Sequence, residues 1–132
     1  MLFRKSRILI VDDERDFAFF VKINLEALGG YSVSVAHDAQ NGLKMALRLN
    51  PELILLDIMM PKVSGLQLLK QLKENEPTMS IPVVMLSAKN DEESKLSAAG
   101  LYGDDYLVKP VPLDILQKKI ESVLKRLHPT KC

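Results

Sequence analysis

Five side chains in this sequence have the types needed to handle a phosphoryl group: the adjacent Asp12 and Asp13, then Asp57, Ser87 and Lys109. Three carboxylates brought together repel, and each resists ionising unless something compensates. A divalent cation resolves that conflict. Oxygen ligands of this kind suit Mg²⁺, which keeps several waters and takes one or two protein carboxylates plus a phosphate oxygen. No His or Cys stands where it would suggest zinc or another soft-ligand metal. Lys109 would supply a fixed cation and Ser87 a neutral hydroxyl donor. Metal, ammonium and hydroxyl on three sides make a cradle for a phosphoryl group, and a carboxylate inside it can act as nucleophile toward phosphorus.

Residues so far apart in sequence need a fold that gathers them. Apolar runs and amphipathic stretches alternate along the chain. Arg7–Val11 is a β-branched run ending at Asp12-Asp13 and reads as a buried strand. Asp16–Leu28 carries Phe17, Phe20, Val21, Ile23, Leu25 and Leu28 near helical spacing and is closed by Gly29-Gly30. Tyr31–Ala36 alternates as a strand with one exposed face. Asp38 then caps a helix bearing Leu43, Met45, Ala46, Leu47 and Leu49, which Pro51 ends. Leu53–Leu56 is an apolar central strand ending at Asp57. Helical spacing returns over Ser64–Lys73, followed by a buried strand, Ile81–Leu86, ending at Ser87-Ala88. A shorter helix over Asp91–Ala99, a strand over Asp105–Val108 and a helix over Leu113–Leu127 complete the pattern. Five strands and five helices in strict alternation predict an α/β fold, a doubly wound parallel sheet with helices on both faces. Ligands bind such sheets at the carboxyl ends of the strands. Asp12, Asp13, Asp57, Ser87 and Lys109 all follow strands, so they converge on one edge.

The length of 132 residues suits one domain, with a core over about 7–127 and short tails. Eighteen basic and seventeen acidic residues leave a net charge of +1, which offers no electrostatic reason for direct nucleic-acid binding. The cluster Arg4, Lys5 and Arg7 reads as a solvated terminus. The single cysteine, Cys132, can form no internal disulfide. The run Ile8–Val11 is too short for a signal peptide, and no stretch approaches the roughly 20 apolar residues of a membrane span. These features predict a cytoplasmic protein with no membrane partner.

Four pieces, in order, resemble the receiver domain of two-component response regulators over Arg7 to Leu127. They are Ile8-Leu9-Ile10-Val11-Asp12-Asp13-Glu14; Leu55-Leu56-Asp57-Ile58-Met59-Met60-Pro61 with Gly65; Ser87-Ala88; and Asp105-Tyr106-Leu107-Val108-Lys109-Pro110. The resemblance implies a flavodoxin-like sheet in the order 2-1-3-4-5 and a phosphorylation-dependent signalling switch, with Asp57 as phosphoacceptor. It implies Mg²⁺ bound by Asp13 directly, by Asp12 mainly through water, by Asp57 and by the backbone carbonyl of Met59. Lys109 would contact the phosphoryl group, Ser87 would swing toward it, and Tyr106 would turn inward as the aromatic switch. The Lys109-Pro110 bond would be cis. Met59 and Lys89 would border the path of hydrolytic water and tune the phosphoryl lifetime. Implied partners are a histidine kinase or histidine phosphotransfer protein as donor, and an output partner or fused domain; a homodimer formed on phosphorylation is a further assembly the resemblance allows. Apart from its own phosphorylation and dephosphorylation, such a domain is regulatory and not an enzyme.

Structural readings compete at several positions. An isolated Asp12-Asp13 pair would be read as a strand end beside a helix N-terminus; the complete set favours the metal site. Tyr106 could be packing alone, and the six methionines read as packing residues. His37 reads as a surface-loop residue and His128 as part of the tail. The chain departs from the family pattern at Tyr102 and Gly103, which follow Gly100 and stand where receivers commonly carry Gly-Ala. A small Mg²⁺-dependent aspartate-based phosphatase or phosphotransferase is the alternative, although such enzymes space their first acids one residue apart and carry a cap segment. A flavin module of similar topology would need a phosphate-cradling loop where Asp12, Asp13 and Glu14 stand.

Overall fold

A computed structural model of the chain describes residues 5–87 and 105–127. The elements are β1 (Ser6–Val11), α1 (Arg15–Leu28), β2 (Tyr31–Ala36), α2 (Ala39–Leu49), β3 (Leu53–Asp57), α3 (Gly65–Glu74), β4 (Val83–Ser87), β5 (Asp105–Val108) and α4 (Leu113–Leu127). All strands are parallel in one sheet of order β2-β1-β3-β4-β5, the expected topology. Four helices fall among the described residues. The helix expected over 91–99 lies outside them, as do Lys89, the 100–103 stretch, His128 and Cys132.

Alternation along the strands divides the core between the two faces of the sheet. Leu9, Val11, Ile54, Leu56, Val83 and Met85 pack with Ala46 of α2 and Leu68 and Leu72 of α3. Ile8, Ile10, Leu53, Leu55, Val84 and Leu86 pack on the other face with α1 and α4. Because both faces are covered, every position of β3 and β4 is buried. Each large aliphatic side chain so buried contributes roughly 1.5–3 kcal/mol of transfer free energy.

Several boundaries shift by one or two residues from the sequence reading, and two helix faces differ. β4 starts at Val83 rather than Ile81, since Pro82 has no N–H for the ladder, although its carbonyl accepts from Ile54 N. β1 starts one residue earlier than expected, at Ser6, whose N–H donates to Gly30 O. α1 buries Ala18, Val21 and Leu25, whereas Phe20, Ile23 and Leu28 are about half exposed. With the small Ala18 on the face against the sheet, Phe20 and Ile23 fall on the outer side of the helix. Leu47 of α2 is likewise exposed.

The helix starts follow local chemistry. Asp38 caps α2 by accepting from Asn41 N at 2.8 Å. Ser64 and Gln67 form a reciprocal capping box at the start of α3. Gly65 brings α3 against the end of β3: its N–H donates to Ile58 O, and a Cβ there would stand 2.1 Å from the Asp57 carbonyl oxygen. The reason for glycine here is space.

Candidate functional site

Parallel register sets which strand ends meet. Val11 is level with Leu56, so Asp12 and Asp57 follow neighbouring strands side by side. Asp57 is level with Leu86, and Ser87 with Val108. Lys109 continues the last strand, its N–H donating to Ser87 O at 2.8 Å. The five residues selected from sequence therefore share one edge of the sheet. Carboxylate oxygens of Asp12, Asp13 and Asp57 lie within 4.8 Å of one another.

Asp12 is fully buried. Its Oδ1 accepts from Glu14 N at 2.9 Å. Its Oδ2 is paired with Lys109 Nζ at 2.8 Å. The buried Ser87 hydroxyl has no hydrogen-bond partner among the described residues. A buried hydroxyl left unpaired costs about 1–3 kcal/mol, a cost that calls for a functional role or a bound water or ion as its explanation. Three clustered carboxylates with open oxygen lone pairs fit a hard divalent cation such as Mg²⁺.

Asp57 is buried, and its Oδ1 accepts from Met59 N at 3.3 Å. Burial, and next the negative charge of Asp12, push its pKa up to about 7; the Lys109 ammonium and the Met59 N–H oppose that rise. Lys109 Nζ is 3.8 Å from Asp57 Oδ2. Burial works against the charge on Lys109, but contacts with Asp12 and Glu14 and the field of Asp57 outweigh it. Its pKa is raised and the ammonium persists.

Three residues that spacing did not single out also serve the site. Glu14 Oε1 accepts from Lys109 Nζ, and the Phe17 ring lies beneath the same ammonium at 4.6 Å, within cation–π range. Glu14 stood inside the Asp12-Asp13-Glu14 run, but nothing in its position signalled a partner 95 residues away. His37 lies in the β2–α2 loop, as expected, and its Nδ1 is 3.1 Å from the Asp12 carbonyl oxygen, which ties that loop to the acidic one.

The remaining expectations fall at the rim. Met59 is 61% exposed beside Asp57, and Tyr106 on β5 is 42% exposed. The Lys109-Pro110 bond is cis. Lys89 lies outside the described residues.

Known proteins resemble this chain along most of its length. Residues 8–121 match the family model described as the response regulator receiver domain. The response regulator ArlR of Staphylococcus saprophyticus is 36% identical over 121 residues, covering 92% of this chain and 53% of the relative. The DNA-binding dual master transcriptional regulator RpaA of Synechocystis is 39% identical over 120 residues, with coverages of 91% and 49%. This chain thus spans about half the length of the curated relatives it matches. Among solved structures, a CheY-like receiver domain protein of Methanospirillum hungatei superposes with a TM-score of 0.87 at 29% identity, covering 96% of this chain and 99% of that one. The receiver domain of NtrX from Brucella abortus gives a TM-score of 0.82 at 33% identity, with coverages of 89% and 98%. With these matches spanning the sheet and the acidic edge alike, the chain belongs to the response regulator receiver domain family.

Proposed function

We propose that this receiver is switched by transfer of a phosphoryl group from a phosphohistidine donor onto Asp57. The observation that carries the assignment is the acidic edge itself: Asp57 lies beside Asp12 and Asp13 and within 4 Å of a fixed ammonium. Asp12, Asp13 and Asp57, with the Met59 backbone carbonyl, would hold Mg²⁺, which when bound offsets carboxylate repulsion and the charge on the phosphoryl oxygens. A carboxylate oxygen of Asp57 attacks phosphorus, the donor's P–N bond breaks, and the electron pair leaves with the imidazole, which is reprotonated. Lys109 stabilises the phosphoryl oxygens. Ser87, whose hydroxyl has no partner among the described residues, then donates to one of them. Tyr106 turns inward from its exposed position and shifts the equilibrium toward a second surface conformation.

The donor is a histidine kinase or histidine phosphotransfer protein, and the setting is the cytoplasm. Output runs through a partner or a fused segment, with dimerisation on phosphorylation as one route. The domain's own catalysis is limited to its phosphorylation and autodephosphorylation, and the receiver match does not favour the phosphatase alternative. Incubation with acetyl phosphate and Mg²⁺ tests the assignment. Wild type gains one phosphoryl mass, while Asp57→Asn, and wild type in EDTA, do not. Absence of a Mg²⁺-dependent adduct on wild type removes the proposal.

A further inference from the structure

In the unphosphorylated chain the ammonium of Lys109 lies closer to the β1–α1 segment than to Asp57. It is held by the β1–α1 segment: Asp12 Oδ2 at 2.8 Å, Glu14 Oε1 in hydrogen-bonding contact and the Phe17 ring at 4.6 Å, against 3.8 Å to Asp57 Oδ2. Among the described residues, the Glu14 carboxylate pairs with Lys109 and makes no other side-chain hydrogen bond or ion pair. Asp12 belongs to the acidic cluster, and Phe17 packs into the core on the α1 face.

A second observation makes Glu14 unusual. It occupies the N-cap position of α1, where Ser, Thr, Asp or Asn would accept a hydrogen bond from the first turn. Glu14 makes no such side-chain cap. Its carboxylate reaches across to Lys109, leaving the start of α1 without a side-chain cap. Asp12 Oδ1 fixes the Glu14 backbone N–H at 2.9 Å, so the loop that carries the acidic cluster also aims this carboxylate.

We infer that Glu14 is a positioning residue that holds Lys109 away from Asp57 and so restrains phosphorylation. The inference rests on the assignment of Asp57 as acceptor. When a phosphoryl group forms on Asp57, Lys109 must move toward its oxygens and give up Glu14. The free energy of the Glu14–Lys109 pair is therefore lost in each phosphorylation, and the unmodified state is favoured by that amount. Glu14 is 61% exposed on its side chain, so the pair is partly screened and modest, on the scale of exposed ion pairs. Its removal should change the rate by about two- to fivefold. Because screening weakens the restraint, the advantage of removing it should shrink as salt is added.

The test compares phosphorylation rates by acetyl phosphate at saturating Mg²⁺, followed by intact mass, for wild type, Glu14→Gln, Glu14→Ser and Asp16→Asn. Asp16→Asn removes the same charge from the start of α1 without removing a contact to Lys109. Glu14→Gln and Glu14→Ser are each expected to be about two- to fivefold faster than wild type at low salt, with the ratio approaching one at high salt. Asp16→Asn is expected to stay near wild type. Equal rates, slower Glu14 variants, or the same acceleration in Asp16→Asn would each overturn the inference. A merely structural role for Glu14 would not produce a salt-dependent gain. If wild type itself takes up no phosphoryl group, the acceptor assignment has failed instead, so the two failures are distinguishable.

Discussion

Replacing Gly65 with alanine should damage the site from outside it. The new Cβ would lie 2.1 Å from the Asp57 carbonyl oxygen and 2.8 Å from Ile58 Cα, and these are backbone atoms with no rotamer to yield. Real Cβ contacts do not fall below 3.0 Å, so α3 and the end of β3 must separate by roughly 1 Å. That movement strains the Gly65 N–H to Ile58 O bond of 2.8 Å, worth about 0.5–1.5 kcal/mol, and adds about 1–3 kcal/mol of overpacking. Alanine's better helix propensity returns at most about 1 kcal/mol. The net expectation is a loss of about 2–3 kcal/mol, or roughly 8–12 °C in Tm for a domain of this size. Gly42→Ala is the matched control. Its Cβ meets both Val11 methyls, at 2.9 and 3.0 Å, and Leu68 Cδ2 at 3.2 Å; these are side chains rather than backbone, but Val11 is buried and stiff, so its loss should be about 1–2 kcal/mol and smaller than that of Gly65→Ala. Urea unfolding of the three proteins reads both values, and acetyl phosphate labelling reads the site. Gly65→Ala should be slower to phosphorylate because the carbonyl that moves belongs to Asp57. A Gly65→Ala protein within about 0.5 kcal/mol of wild type, or no less stable than Gly42→Ala, would refute the steric reasoning.

Three further outcomes follow from the electrostatics of the edge. Lys109→Met leaves the buried Asp12 and Asp57 without their cation and should cost about 3 kcal/mol in EDTA, with part recovered on adding Mg²⁺; equal unfolding midpoints for the two proteins in EDTA would contradict it. The folded-state pKa of Asp57, about 7, stands above its unfolded value. The folded state therefore binds that proton more tightly, and this contribution to stability is present at low pH and is lost as pH rises through about 7. Asp57→Asn in EDTA should accordingly stabilise the chain more at pH 8 than at pH 5, and a pH-independent difference would count against the raised pKa. Met59 presents no polar group that could orient attacking water, so dephosphorylation should be slow to moderate. Replacing it with Asn or Lys should alter the decay; decay within seconds that neither replacement changes would show that this position does not set the lifetime.

Much of the sheet was legible because a strand buried on both faces reads as an unbroken apolar run: Leu53–Leu56 and Val83–Leu86 carry no polar residue until Asp57 and Ser87. The acidic edge was legible for the same reason, since polarity returns where each strand leaves the core. Helix faces were less so. Periodicity favours large apolar residues, whereas α1 packs through Ala18, Val21 and Leu25 and leaves Phe20 and Ile23 outside; the choice depends on how closely the helix lies on the sheet. Asp12 and Asp57 were legible as neighbours of Lys109, but its other two partners were not. Glu14 and Phe17 reach it through a fold contact across the sheet edge, and the tie from His37 to the Asp12 carbonyl is of the same kind.

The most direct measurement locates the phosphoryl group itself. After exposure to acetyl phosphate and Mg²⁺, borohydride reduces an aspartyl phosphate to homoserine, and peptide mass mapping finds the converted residue. Conversion confined to Asp57, and absent in EDTA, is the expected result. Conversion at Asp12, Asp13 or another carboxylate with Asp57 intact, or none at all, would contradict the assignment of this edge as a phosphoryl-accepting switch.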